Sequence, residues 1–141
     1  MNERSEKPGY DAVGASPDIR SCLRARRRAI RERLGPHAAV IPAGRAPARN
    51  FPANTYPFRA SSHFLYCVGE GLENAVVLLT PSTEVLFVPT PNATEILWHG
   101  TGPDLEAIAE RCGCPTRPLS ELVDMLPSGA IGVAPCQSRA V

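Results

Sequence analysis

The side chains that could bind a metal ion are few and lie in different stretches of the sequence. Of the three histidines, His37, His63 and His99, only His99 has a carboxylate four residues away, at Glu95. That spacing would place both side chains on one face of a helix and could serve a metal ion, but Gly100 is predicted to end the helix there. The five cysteines include no CxxC pair, which disfavours a zinc or thioredoxin-type site. We therefore expect no metal, no cofactor and no catalytic residue in this chain.

Motifs that would provide a nucleophile or bind a phosphate are also missing from the sequence. It has no serine nucleophile elbow, no P-loop and no GxGxxG stretch. The most charged feature is the run RARRRAIRER (24–33). It belongs to a predicted helix on which one face would carry Arg20, Arg24, Arg27 and Arg31. Such a stripe could bind nucleic acid, but charge runs are more often solvated and no aromatic residue interrupts this one. We predict a solvent-exposed arginine face and retain nucleic-acid binding only as an alternative.

The composition is that of a single globular domain. The 141 residues are 43% hydrophobic and 21% charged, which suits one hydrophobic core. The N-terminus lacks the apolar stretch of a signal peptide, and no apolar run approaches the roughly 20 residues that span a bilayer. We expect a cytoplasmic protein with reduced thiols and no membrane partner. Residues 1–15 are predicted to form a flexible tail.

A helix is predicted to begin after Ser16. Ser16 is a suitable N-cap, Pro17 suits the first helical position, and Gly35-Pro36 should end the helix. The apolar residues at helical spacing predict an inner face made of Ile19, Leu23, Ile30 and Leu34.

Two apolar runs on either side of Pro81-Ser82-Thr83 predict a central β-hairpin, from Ala75–Leu79 and Val85–Val88. Two further strands are predicted at His37–Gly44 and Ala130–Pro135. Helices are predicted at Asn92–Gly100, Pro103–Gly113 and Leu119–Pro127, the last of them capped by Ser120. A sheet that is apolar on both faces needs cover on both sides. We therefore predict an α/β fold, a three-layer α/β/α domain with a central mixed sheet, over residues 16–141.

One aromatic-rich stretch, RNFPANTYPFRASSHFLYCVGEG (49–71), follows neither a strand-like nor a helical pattern and begins an ordered series of motifs. The series is Arg49-Asn50, Tyr56-Pro57-Phe58-Arg59, Ser62 to Tyr66 with Gly69, the apolar hairpin, and Glu95 followed by Trp98-His99-Gly100. In this order the motifs resemble the N-terminal domain of Xaa-Pro aminopeptidases (aminopeptidase P), the creatinase/prolidase N-terminal family. The resemblance covers about residues 20–127 and implies the family's ribonuclease H-like fold.

The resemblance implies structural roles for most of the motif residues. Phe58, Phe64 and Tyr66 are expected to pack under the hairpin, and Arg59 is expected to bind loop carbonyls through its five donors. The sequence departs from the family pattern at three places, which suggest a divergent subgroup: Phe51-Pro52-Ala53-Asn54, Cys67-Val68-Gly69-Glu70 and Glu73-Asn74.

In this family, peptide hydrolysis takes place in a separate C-terminal "pita-bread" domain that holds two metal ions, usually manganese. The sequence ends at Val141, where that domain should begin, so we expect it to be absent and this chain to be inactive alone. The resemblance implies a non-catalytic N-terminal domain of a proline-specific metalloaminopeptidase, a hydrolase that releases an N-terminal residue preceding proline. Its expected partners are the catalytic domain, in the same chain or another subunit, and further copies in a homo-oligomer. A stand-alone binding module that reuses the fold without hydrolysis is the alternative.

Trp98 and His99 are the residues for which we predict a role in an interface or in the wall of the substrate cleft. Trp98 lies at the end of a short predicted helix, next to the helix-ending Gly100, and it is the only tryptophan in the chain. In the family the matching region can approach a neighbouring subunit's cleft. We therefore predict a partly exposed Trp98 rather than a core residue.

Overall fold

The computed structural model describes residues 18–136. The first half of this region contains a long helix α1 (Ile19–Leu34), a strand β1 (Ala38–Pro42) and a short helix α2 (Ser62–Val68). A hairpin follows, made of β2 (Val76–Leu79) and β3 (Glu84–Val88). The remaining elements are α3 (Ala93–His99), α4 (Leu105–Cys112), β4 (Thr116–Pro118), a 3-10 turn (Leu119–Glu121), α5 (Leu122–Met125) and β5 (Ile131–Val133).

The five strands form one mixed sheet in the order β4-β3-β2-β1-β5. β2 is antiparallel to both of its neighbours, whereas β1 pairs with β5, and β3 with β4, in parallel. Four strands therefore run in one direction, and the chain leaves β1, β3, β4 and β5 at the same end of the sheet. We call this end the carboxyl end of the sheet. The segments that follow β1 and β3 both begin there.

Each face of the sheet is apolar and is covered by helical segments. On one face, Val77, Leu79 and Leu86 pack under α1, α2 and α4 in the larger core cluster. On the other face, Leu78 and Phe87 pack under the 3-10 turn and α5. The predicted α/β fold with a mixed sheet and a central hairpin is confirmed. Within residues 18–136, no helix is both long enough and apolar enough to cross a membrane.

The prediction of the apolar inner face of α1 is only partly confirmed. Leu23 is buried, and Ile30 and Leu34 contact the larger core, but Ile19 is exposed. Ile19 is the first helical residue, and the buried face starts one turn later. The N-cap is Asp18, whose carboxylate accepts a hydrogen bond from the Arg20 amide, rather than Ser16. Ser16 and Pro17 lie outside the described residues.

Two other local predictions need correction. The segment predicted as one helix from Leu119 to Pro127 is a 3-10 turn followed by four helical residues, and Ser120 lies inside the turn instead of capping a helix. The strand β4 was not predicted, because three residues ending in Pro118 carry no recognisable pattern. It forms by pairing in parallel with β3.

The prediction of a solvated arginine face is wrong for Arg27, which is completely buried. Its Nη1 donates to the carbonyl oxygens of Cys67 at 2.8 Å and Cys112 at 3.1 Å, and its Nη2 donates to that of Gly113 at 2.8 Å. Its Nε lies 3.3 Å from a carboxylate oxygen of Glu84. One guanidinium thus joins α1 to the ends of α2 and α4 and to β3, and it satisfies carbonyls that the helix ends leave unpaired.

Two further arginines of α1 contact backbone carbonyls, although Arg24 remains exposed and Arg31 is only half-buried. Arg24 Nε donates to the Gly113 carbonyl at 3.1 Å, and Arg31 Nε donates to the Thr80 carbonyl at 2.8 Å. The signal for this arrangement was present in the sequence. Arg27 stands four residues after Leu23 and three before Ile30, so it occupies a position on the apolar stripe itself.

Candidate functional site

The helix α3 carries the residues for which an interface role was predicted. Asn92 and Glu95 form a capping box: the Glu95 amide donates to Asn92 Oδ1 at 2.9 Å, and the Asn92 amide donates to Glu95 Oε2 at 2.8 Å. Gly100, with a φ of +83°, ends the helix as predicted. Local sequence alone is therefore sufficient to define both ends of α3.

Although α3 is rich in apolar residues, it buries none of them. The exposed fraction is 44% for Ile96, 79% for Leu97 and 76% for Trp98. The predicted exposure of Trp98 is confirmed. The two preceding residues, Ile96 and Leu97, are therefore exposed as well. The whole helix is thus an apolar surface without a partner in this part of the chain.

A shallow cavity of about 350 Å³ lies beside α3. It is lined by residues 89–91, by Glu95 and His99, and by residues 100–103. Gly102 closes one side, and a Cβ placed on it would lie 2.2 Å from Pro91 Cδ, so this close approach requires glycine. Glu95 is already bound to the Asn92 amide, which leaves His99 as the free polar side chain of the predicted pair. Across residues 18–136, no three His, Cys, Asp or Glu side chains converge in a way that could hold a metal ion.

The segment after β1 is the second surface at the carboxyl end of the sheet. Residues 45–59, here called the basic loop, fold back on themselves through a bridge between Ala48 and Thr55. The Arg49 guanidinium lies 4.7 Å from the centre of the Tyr56 ring, a cation–π contact. Phe51 and Tyr56 are 53% and 51% exposed. Arg59 is exposed too and has no side-chain hydrogen bond with any described residue, so its predicted role in binding loop carbonyls is wrong.

The predicted aromatic packing holds for two of three rings. Phe64 is fully buried and Phe58 is half-buried against the same core, but Tyr66 is 51% exposed and was wrongly predicted to be packed. On α2, Phe64, Cys67 and Val68 share the inner face, and Tyr66 points away from it. Its ring lies under the Arg26 guanidinium, 4.7 Å from the ring centre.

The ends of α2 are defined by two small residues. Ser61 caps the helix: its Oγ accepts from the Phe64 amide at 3.2 Å and donates to the Pro42 carbonyl at 2.8 Å. Ser62, the motif serine, is the exposed first residue of the helix. Gly69 ends the helix with a φ of +81°, and a Cβ there would lie 3.1 Å from Leu23. Glycine therefore suits both the backbone and the close contact with α1.

Three buried thiols surround the Arg27 site. Burial raises the pKa of Cys67 and of Cys114 to about 11. Burial, and next the negative charge of Glu70, raise the pKa of Cys112 to about 12. These thiols are protonated at neutral pH and are poor nucleophiles. The three cysteines therefore contribute to the packing around Arg27.

The comparisons with known proteins agree with the ordered motifs and with the fold. The family model described as "Aminopeptidase P, N-terminal domain" matches residues 23–132. The chain belongs to the aminopeptidase P N-terminal domain family. A comparison with curated protein sequences gave no match.

Among solved structures, the chain is similar to bacterial aminopeptidases P. It is 28% identical to aminopeptidase P from E. coli in its low-pH form, with a TM-score of 0.63, over 78% of this chain and 26% of that chain. It is 25% identical to aminopeptidase PepP from Pseudomonas aeruginosa, with a TM-score of 0.66, over 82% and 28% of the two chains. It is 26% identical to proline aminopeptidase P II from Yersinia pestis, with a TM-score of 0.58, over 75% of this chain and 26% of that chain. The chain thus spans about a quarter of the length of these structures.

Within the aminopeptidase P N-terminal domain, one departure from the family pattern has a clear structural partner. Glu70, at the end of the Cys67-Val68-Gly69-Glu70 stretch, lies 3.2 Å from Arg111 Nη2 and accepts a hydrogen bond from Cys112 Sγ at 3.4 Å. It therefore connects the end of α2 to the end of α4. These two contacts give Glu70 a structural role at a position where the sequence departs from the family pattern.

Proposed function

We propose that this chain is the non-catalytic N-terminal domain of a proline-specific metalloaminopeptidase, in which α3 makes subunit contacts and forms part of the wall of the substrate cleft. The observation that supports this most strongly is Trp98, which is 76% exposed on a helix that buries no residue. A large apolar surface of this kind is typical of a binding site rather than of a monomer's ordinary surface. Trp98 is also one of the residues that carry the resemblance to the family.

We assign peptide hydrolysis, and the two manganese ions that it would use, to the catalytic domain. Such ions polarise the scissile carbonyl and generate a nucleophilic hydroxide. The described residues of this chain do not fit such a pair of ions, because no three potential ligands converge among them. The described residues instead provide the exposed apolar surface of α3. We further place the protein in the cytoplasm and in a homo-oligomer, as part of the same proposal.

The role proposed for Trp98 and His99 is to limit which peptides enter the cleft. An indole ring against the substrate is rigid and covers a large area at a low entropic cost. His99 follows it in the sequence, lines the cavity and offers ring nitrogens that can donate or accept a hydrogen bond. A wall of this kind would favour peptides with a free amino end, because it would exclude peptides whose chain continues on the amino side of the cleft.

A fusion protein tests this function. The chain is placed ahead of the E. coli aminopeptidase P sequence, replacing the part of that protein which it matches. We expect the fusion protein to cleave an Xaa-Pro peptide and the chain alone to cleave none. In the fusion protein, Trp98→Ala should lower kcat/KM by about tenfold, which corresponds to about 1.4 kcal/mol of transition-state stabilisation.

The matched control is Val123→Ala, which truncates an equally exposed apolar residue (75%) on α5. It should leave kcat/KM unchanged. Equal loss in both variants, or no loss for Trp98→Ala, would contradict the role of α3. Chelator-sensitive cleavage by the chain alone would contradict its non-catalytic character. A fusion protein no better than the E. coli catalytic part alone would favour a stand-alone binding module.

A further inference from the structure

The helix α3 makes no hydrogen bond to the rest of the domain. Within residues 18–136, every hydrogen bond of residues 92–100 joins two residues of that same stretch. The helix has only seven residues and buries none of them. Isolated helices shorter than about 12–15 residues are only marginally stable in water, and most helices in proteins depend on the packing of one face. The interactions at its two ends therefore decide how fully α3 forms.

The first of these ends is closed by the reciprocal hydrogen bonds of Asn92 and Glu95. Asn92 Oδ1 accepts from the Glu95 amide, and Glu95 Oε2 accepts from the Asn92 amide, so two amides that the start of a helix leaves unpaired are satisfied. The carboxylate also interacts favourably with the positive end of the helix dipole. Because no residue outside this stretch is hydrogen-bonded to the first turn within the described chain, these two bonds contribute a larger share of the helix stability than they would in a packed helix.

The base from which α3 projects is narrow and stiff. The segments that enter and leave the helix meet where Gly102 approaches Pro91, so closely that a Cβ on Gly102 would overlap the proline ring. Pro89 and Pro103 lie on either side of this crossing, and each proline fixes its own backbone φ. We call residues 91–102 the α3 arm. Since the arm is closed at its base and buries no helical side chain, it can lose its helical order while the core stays intact.

The cavity beside α3 is formed by the arm and its base alone. All of its lining residues fall between positions 89 and 103, and they include Glu95 and His99 but not Asn92. The shape of the cavity and the placement of Trp98 therefore both depend on whether the helix is formed.

We propose that Glu95 is a positioning residue for Trp98 and His99: its hydrogen bond to the Asn92 amide keeps α3 folded and so holds the apolar surface and the cavity in the shape that meets the substrate. This proposal rests on the proposed function in so far as α3 forms part of the cleft wall. Glu95 acts through the helix and not through contact with the peptide. When the cap is lost, only the fraction of molecules with a formed helix binds well, so KM rises by the inverse of that fraction while kcat is unchanged.

Glu95→Ala in the fusion protein tests this role. We expect KM for an Xaa-Pro peptide to rise about threefold to fivefold, since a helix cap of ordinary strength shifts a helix–coil equilibrium by about that factor. Asn92→Ala should raise KM equally, although Asn92 does not line the cavity. Glu95→Gln should restore KM, because its side-chain oxygen still accepts from the Asn92 amide. In a variant that already carries Trp98→Ala, Glu95→Ala should cause no further loss, because both changes act on the same contact.

The chain alone supplies a second measurement. Glu95→Ala should lower the fluorescence anisotropy of Trp98, the only tryptophan, because the ring moves more freely when the helix frays. The urea midpoint of the domain should stay the same, since α3 contributes no buried side chain. The matched control is Glu106→Ala, which removes an exposed carboxylate from the first turn of α4, where Asp104 provides the cap. It should leave KM and the anisotropy unchanged.

The proposal is overturned if Glu95→Ala leaves both KM and the anisotropy unchanged, if Glu95→Gln fails to restore KM, or if the losses from Glu95→Ala and Trp98→Ala add in full. Failure of the proposed function gives a different result, because Trp98→Ala itself then has no effect on cleavage. In that case a lowered anisotropy in Glu95→Ala would still support the positioning of Trp98 by Glu95, and an unchanged anisotropy would reject it as well.

Discussion

Replacing Arg27 with methionine is expected to lower the free energy of unfolding by about 3–5 kcal/mol, the range for breaking a buried ion pair from one side. Methionine fills a similar volume but cannot donate to the carbonyl oxygens of Cys67, Cys112 and Gly113, which would remain buried and unpaired. Glu84 would keep only Arg31, at 3.9 Å. Urea unfolding followed by far-ultraviolet circular dichroism measures the change, since the exposed Trp98 is a poor reporter of the core.

The neighbouring arginine on the same helix provides the control. Arg28 is exposed and pairs only with Glu32, four residues away, so Arg28→Met should cost less than about 0.5 kcal/mol. If Arg27→Met does not fold, Arg27→Lys supplies an intermediate measurement, because one ammonium can replace only part of the guanidinium's contacts. Equal stabilities for the Arg27 and Arg28 variants would show that the buried guanidinium contributes nothing.

A second large effect is expected at Phe64 in the aromatic stretch. Phe64→Ala should cost about 3–5 kcal/mol, because the ring is fully buried between α1, α2 and the sheet, and its removal leaves a cavity. Tyr66→Ala, two residues further along the same helix, removes a half-exposed ring and one cation–π contact with Arg26. That contact is worth about 0.5–1 kcal/mol at an exposed site. Thermal or urea unfolding should therefore show a loss in free energy of unfolding that is several-fold larger for Phe64→Ala than for Tyr66→Ala. Similar losses in the two variants would contradict the finding that Phe64 is buried and Tyr66 is not.

Features that depend on near neighbours in the sequence were predicted well. The hairpin follows from two apolar runs around a turn, and α3 follows from a capping residue, a matching Glu95 and a terminating Gly100. The exposed Trp98 also followed from its place at the end of that short helix. In each case, the deciding residues lie within about one turn or one strand of each other.

Features that depend on distant partners were not predicted. Arg27 is buried because carbonyls 40 and 86 residues away meet its guanidinium, and a helix taken by itself gives no indication of them. Tyr66 is predicted to be buried as long as the aromatic stretch is taken as one piece that Ser61 does not divide. Once the helix is known to begin there, Phe64, Cys67 and Val68 fall on one face, and Tyr66 does not.

The fluorescence of Trp98 measures directly whether α3 is exposed to a partner or packs in the domain. The chain has no other tryptophan, so the emission reports on this site alone. In a dilute, monomeric sample we expect an emission maximum near that of tryptophan in water and efficient quenching by iodide. A blue-shifted emission that iodide cannot quench, together with marked destabilisation in Trp98→Ala, would place the ring in the core and show that α3 is not presented to a partner.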